Sequence, residues 1–231
     1  MLEYLNAGWG WQFAKGLGAS LFVAFSSFLL SILIGICCTL VARSGFRASR
    51  HLVNLYTYAF RSLPDVLLLI LIFYSLDGAL ASVLQLLPGT GQVKISPFLP
   101  AILSAAIVLG AYATEVFRAG WADIAPGQHE AGHSLGLSRF QSFGLIILPQ
   151  VYHKIIPYLG VLLLISMKET ALLSIVGIPD IVRTASIGAR STGAPFVFYG
   201  VAIAVFVAFA ILTSALFKRL EGRSRQYMGG I

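Results

Sequence analysis

The sequence predicts an all-α membrane protein of about five transmembrane helices, with its N-terminus outside and its C-terminus in the cytoplasm. Three observations carry that prediction. The 231 residues are 58% hydrophobic and only 11% charged, against roughly 25% charged residues in a soluble domain. Five apolar segments, at about 17–42, 54–76, 98–117, 156–178 and 196–217, are each long enough to cross a hydrocarbon layer of about 30 Å. Eleven of the sixteen Lys and Arg then fall on one face, which the positive-inside rule assigns to the cytoplasm. This composition excludes a disordered, collagen-like or disulfide-stapled chain, and it fits an ordinary soluble enzyme poorly.

The elements follow in order. Residues 1–16 form an N-terminal segment with Trp9, Trp11 and Phe13 before the first span, where amphipathic aromatics favour a membrane surface. A cleavable signal is not expected, because Glu3 precedes the first Lys and the run Leu17 to Ala42 exceeds a signal core. Cys37 and Cys38 are adjacent in that span and point about 100° apart, so they read as small packing residues rather than a disulfide or metal pair. The second segment is interrupted by Arg61, Pro64 and Asp65. Ala79 to Leu87 reads as a short interfacial helix, ended by the turn Pro88-Gly89-Thr90-Gly91. Residues 17–218 then make one membrane domain, and 219–231 a cytoplasmic tail.

Orientation comes from the loops. Arg43, Arg47, Arg50 and Arg61 follow span one, and Arg118, Arg139 and Lys154 lie between spans three and four. Lys218, Arg219, Arg223 and Arg225 lie in the tail, against Lys15, Lys94, Arg183 and Arg190 on the other side. The formal charge of +7 is therefore a topology signal. No basic run with interleaved aromatics points to nucleic acid, and no internal repeat is evident.

The loop from Arg118 to Lys154 is far longer than a helix–helix turn requires. Pro126 marks a helix start, Gly132 and Gly136 allow close approach, and Ser138 caps a second short helix. Pro149 is expected to break that helix before span four. Composition alone would give an amphipathic surface loop. The spacing Glu130-Ala131-Gly132, three residues, Gly136, nine residues, Ile146-Ile147-Leu148-Pro149 is sharper.

That spacing resembles the EAA signature of permease subunits of ATP-binding-cassette importers, with Gly132 in place of the second alanine. Three further elements are similar to the polar amino-acid branch, of histidine/lysine/arginine/ornithine and opine type. They are Arg61-Ser62-Leu63-Pro64-Asp65 with Tyr74, Gly110-Ala111-Tyr112 through Glu115 to Arg118, and Lys168-Glu169-Thr170-Ala171-Leu172-Leu173-Ser174. Ser62 stands where that branch usually has glycine. The resemblance covers about residues 12–222. It implies a type I importer transmembrane domain whose loop, at Glu130, Ala131, Gly132, Gly136, Ile146, Leu148 and Pro149, docks on a separate ATPase subunit. It also implies a second permease subunit, two ATPase subunits that hold ATP and magnesium, and an extracytoplasmic substrate-binding protein. The chain itself has no phosphate-loop motif and is expected to bind no cofactor and to catalyse no reaction.

Ionisable residues inside spans are costly and are functional candidates. Arg61 and Asp65, at i,i+4, and Glu115 and Arg118, at i,i+3, read first as ion pairs on one helix. Lys168 and Glu169 are adjacent in span four and cannot face each other. Glu169 is expected to line a central cavity and meet a cationic substrate group, with Thr170 and Ser174 on one shared face. Lys168 and Asp65 are further pathway candidates. The competing reading has Lys168 and Glu169 only anchoring neighbouring helices. His51, His129, His133 and His153 form no metal-type cluster. The function the resemblance implies is passage of polar, chiefly basic, amino acids or opines across a bacterial inner membrane. An ion-coupled secondary transporter is the alternative, and a membrane-embedded enzyme fits least, because no catalytic motif lies on the spans.

Overall fold

Helix α1 (Gly10–Arg43) is the first of five helices long and apolar enough to span a bilayer in this computed structural model, which describes residues 8–85 and 96–228. Its 34 residues give a rod of about 51 Å at 1.5 Å per residue. It begins seven residues earlier than the apolar run indicates. Trp9 and Phe13 pack on Phe198 at ring distances of 5.0 and 5.9 Å, and Trp11 is exposed.

The second apolar segment is not one helix. Helix α2 (Arg47–Ser62) stops at Leu63–Pro64, where Leu63 is extended, and α3 (Asp65–Gln85) starts anew. The residue before a proline is driven out of helical geometry, so the break has a local cause. The spanning stretch is Asp65–Val83. Helix α3 runs unbroken from Asp65 to Gln85, so the described part of the stretch expected to form a separate interfacial helix, Ala79 to Leu87, continues the span. The expected turn at Pro88–Gly91 lies outside the described residues.

Helix α4 (Phe98–Ala122) is the hub of the bundle and packs on α1, α2, α3 and the fourth span. Small residues make this possible. Ser104, Ala105, Ala106, Gly110, Ala111, Ala113 and Thr114 are all buried on it. A Cβ at Gly35 of α1 would meet Ala113 Cβ at 2.7 Å and its carbonyl carbon at 2.9 Å, so the two backbones touch. In lipid there is little hydrophobic drive between helices, and close packing with side-chain hydrogen bonds takes its place. Thr39 donates to the Thr114 carbonyl at 3.3 Å, Ser166 to the Ala24 carbonyl at 2.7 Å, and Ser27 and Ser166 share a 3.0 Å bond.

After α4 come the short helices α5 (Gly127–Ser134) and α6 (Arg139–Ser142), then a π turn (Phe143–Ile147) leading into α7 (Leu148–Leu173). Pro149 does not break the chain here. It sits in the first turn of α7, where its missing N–H has no partner to lose, so the expectation of a break is corrected. A 3₁₀ turn (Ser174–Val176) leads to α8 (Ile181–Thr192), a helix the apolar segments did not reveal. Asp180 caps it, its Oδ1 accepting from the Arg183 N–H at 2.8 Å. The last span is α9 (Pro195–Met228), packed on α7 and α8. Large apolar side chains such as Phe22, Leu29, Leu33, Leu67, Leu71, Ile203 and Ile211 point outward, as lipid-facing surfaces require.

Candidate functional site

Two regions carry the chain's functional candidates: a set of charges among α2, α3, α4 and α7, and the loop between α4 and α7.

Among the charges, Glu169 is the outlier. It is 2% exposed, and neither carboxylate oxygen has a hydrogen-bond partner among the described residues. A buried acceptor left unmatched is costly, so such a group calls for a role beyond packing. Asp65 and Tyr112 lie within electrostatic reach of it. The Tyr112 hydroxyl donates to Asp65 Oδ1 at 3.1 Å and so joins α3 to α4. Thr170 is buried and donates to the Met167 carbonyl of its own helix at 2.8 Å. Ser174, at the 3₁₀ turn, is half-buried. Lys168 is exposed, turned away from the body of the chain.

The expected Arg61–Asp65 pair does not form. The break at Leu63–Pro64 lies between them, so their i,i+4 register is lost. Arg61 reaches Glu115 of α4 at 3.7 Å. Glu115 also pairs with Arg118 at 3.2 Å, as the sequence spacing indicates, and Arg118 donates to Asn54 Oδ1 at 2.9 Å. Beside this network lies a cavity of about 300 Å³ lined by Arg61, Tyr112, Glu115, Tyr158, Leu162 and Ile165 among others. Its lining reaches Ile165, one helical turn before Glu169 on α7, and Tyr112 connects it to Asp65. Sequence reasoning singled out Asp65 and Glu169 but gave Arg61, Tyr112 and Glu115 no part in a cavity. The signal was present in Tyr112, a polar-tipped side chain one turn from Glu115 in an otherwise small-residue helix.

The loop is a helix–turn–helix, as its spacing indicates. Gly136 has φ +74°, a left-handed conformation that permits the turn. Ser138 and Gln141 form a reciprocal capping box at the start of α6. Gly132 is buried, and a Cβ there would overlap Ser142, so glycine is the residue this gap admits. Glu130 and Ala131 are exposed in α5. Ile147 is fully buried and anchors the loop with Ile124, Val151 and Ile155, while Ile146 is half-buried and Leu148 and Pro149 are exposed. Gln150 bridges to Gln128 at 3.0 Å, and Lys154 pairs with Asp123 at 3.4 Å, tying the loop to its flanking helices. Leu135, Phe140 and Leu145 project outward with exposures of 74%, 86% and 67%. Three large apolar side chains on a short polar loop make a surface suited to a protein partner.

Among the described residues no group of His, Cys, Asp or Glu could hold a metal ion. His153 Nδ1 instead meets Ser224 Oγ at 3.0 Å, and Cys37 and Cys38 are free thiols.

Comparison with known proteins agrees with this geometry. The family described as binding-protein-dependent transport system inner membrane component matches residues 27–226. The nopaline transport system permease protein of Agrobacterium fabrum is 34% identical over 215 residues, covering 93% of this chain and 90% of that one. The histidine/lysine/arginine/ornithine transport system permease protein of Escherichia coli is 32% identical, with coverage of 94% and 93%. An amino acid ABC transporter solved with histidines superposes with a TM-score of 0.80 at 27% identity over 96% of each chain. The MetNI methionine ABC transporter, at 16% identity, shares the fold with a TM-score of 0.73. The chain belongs to the binding-protein-dependent transport system inner membrane components, and it is a multi-pass permease subunit of an ATP-binding-cassette importer in a bacterial inner membrane, not an enzyme.

Proposed function

We propose that this subunit forms part of the pathway for amino acids or opines bearing a cationic nitrogen, with Glu169 as the carboxylate that meets that cation. The observation that carries the reading is a buried carboxylate whose two acceptor oxygens are unmatched among the described residues, one helical turn beyond a largely apolar cavity that holds Arg61 and Glu115. Asp65 adds negative charge nearby, the Thr170 hydroxyl is next to Glu169 on α7, and the Ser174 hydroxyl lies in the 3₁₀ turn that follows it. The cargoes named for the relatives, nopaline and the histidine/lysine/arginine/ornithine group, all contain a nitrogen able to carry positive charge. Arg61 at the cavity supplies the complementary cation for a carboxylate.

Coupling to a separate ATPase runs through the loop 118–154, with Glu130 as its polar anchor and Leu135, Phe140 and Leu145 as its apolar contacts. The exposed Lys168, five residues before the end of α7, favours a second permease subunit across from it, since lipid is a poor neighbour for an ammonium group. We place the C-terminus and the loop in the cytoplasm and assign substrate delivery to an extracytoplasmic binding protein. Membership of this family leaves the ion-coupled reading without support.

The test is uptake by the reconstituted complex carrying Glu169→Gln. A lost charge-assisted contact of about 1.5–3 kcal/mol lowers apparent affinity for arginine or an opine by roughly 10- to 150-fold. Uptake of a neutral amino acid should change far less. Unchanged uptake of cationic substrates by an intact assembly would rule out the assignment of Glu169.

A further inference from the structure

At the end of the bundle beside the loop, α1, α2 and α4 enclose a second cavity of about 300 Å³, remote from Glu169. It is lined by Arg43 in the last turn of α1, Arg50 in the first turn of α2 and Arg118 of α4, with Thr39 and Trp121. Three guanidinium groups gathered in one small cavity repel one another unless an anion lies among them. Arg118 has Glu115 as a partner. Arg43 and Arg50 have no carboxylate partner among the described residues. Arg43 lies over the Trp121 ring, 4.2 Å from its centroid, a contact that fixes its position without neutralising it. The buried Trp121 indole N–H also has no acceptor among the described residues. The site is rich in donors and short of an anion.

We propose that this cavity binds the phosphate group of an anionic phospholipid. Guanidinium forks match phosphate oxygens in pairs. The surroundings favour a lipid over a soluble anion. Leu40, one turn before Arg43 on α1, and Phe46, one turn before Arg50 at the head of α2, are exposed and lay apolar surface beside the cations. A headgroup can enter the cavity while its acyl chains follow those side chains. The far side of Trp121 stacks on Phe143 at 5.3 Å with planes 16° apart, and Phe143 opens the π turn of the loop. A bound headgroup therefore sits one aromatic ring from the segment assigned to coupling. That consequence rests on the coupling proposal, whereas the binding itself does not.

The test is phosphatidylglycerol retention by the assembled complex, measured by native mass spectrometry from nanodiscs of phosphatidylcholine doped with phosphatidylglycerol. Each arginine neutralised should weaken retention about fivefold, and the Arg43→Gln/Arg50→Gln pair about 25-fold. The Arg43→Lys/Arg50→Lys pair keeps the charge and should retain most of the lipid. Arg50→Gln alone, on an exposed position, gives the same reading if the double variant fails to fold. Equal retention by wild type and the glutamine variants overturns the proposal. So does equal thermal protection of the delipidated complex by inorganic phosphate, which assigns the cavity to a soluble anion. Unchanged lipid retention with lost ATPase binding also overturns it, giving the cavity to an acidic side chain of the partner.

Discussion

Replacing Gly132 by alanine places a methyl group in the tightest gap of the coupling loop. The new Cβ would overlap Ser142 Oγ, approach Ser142 Cβ to 2.9 Å and meet Ile146 Cδ1 at 3.3 Å. The hydroxyl can rotate aside, but the Ser142 Cβ is fixed to its backbone, so α6 must retreat by about 0.5 Å to reach ordinary contact. Alanine gains about 1 kcal/mol of helix propensity over glycine. Overpacking costs about 1–3 kcal/mol, so a net loss of about 0–2 kcal/mol is expected. Ser142→Ala separates the two contributions. It removes a buried hydroxyl that has no hydrogen-bond partner among the described residues, and with it the worst overlap. That single change should be neutral or stabilising, and the double variant should recover about 1 kcal/mol relative to the sum of the singles. Thermal unfolding of the purified complex measures this coupling, and substrate-stimulated ATPase activity reports whether the shifted α6 still transmits. Wild-type stability for Gly132→Ala, with a coupling energy below about 0.3 kcal/mol, would refute the packing argument.

Two further outcomes follow from the geometry. Gly136→Val forces a β-branched residue to φ +74° and should cost at least about 1–2 kcal/mol, with Gly136→Asn costing less; melting temperatures rank the three proteins. Burial raises the Asp180 carboxyl from 3.8 to about 6, against the lowering effect of the Arg183 N–H. Its folded pKa exceeds its unfolded one, so its contribution is fully present below about pH 4 and is lost as pH rises through 6. Asp180→Asn keeps a capping acceptor and should flatten that decline. Its advantage over wild type should grow between pH 4 and 6 to a ceiling of about 3 kcal/mol, at 1.36 kcal/mol per unit. Parallel stability curves for the two proteins would show that burial does not govern this carboxyl.

The parts of the fold legible in the sequence are those set by local rules. Apolar length identifies the spans, Ser138 with Gln141 announces its capping box, and Gly136 falls where a left-handed residue is needed. Glu115 and Arg118 pair because i,i+3 spacing survives inside an unbroken helix. Where the prediction failed, the geometry depended on something the local pattern does not hold. Arg61 and Asp65 have pairing register, but one proline between them outweighs it, and their partners Glu115 and Tyr112 come from α4 across about fifty residues of chain. Pro149 was misplaced because its position within a first turn depends on where the helix begins, which the π turn sets. Helix α8 escaped notice because it is short and mixed in polarity, and it is held by burial of Ile181, Ala185 and Ala189 against Phe13 and Phe198. For the candidate site, the identity of Glu169 was readable as an odd charge in a span. Its lack of a partner was not, because that requires the positions of every neighbouring donor.

Helix α1 is a single rod of about 51 Å, longer than the roughly 30 Å of hydrocarbon it crosses. One end is gripped by Phe198 through Trp9 and Phe13, and the other carries Arg43 onto Trp121 beside the loop. About three quarters of the way along, at Gly35, it is wedged on α4 with no slack between backbones. A continuous helix held at these points passes a tilt at one end on to the other. Each degree of tilt displaces one end relative to the other by about 0.9 Å, on the scale at which packed helices exchange one arrangement for another. Events on the two sides of the bilayer are thus joined mechanically within one subunit, without a hinge between them.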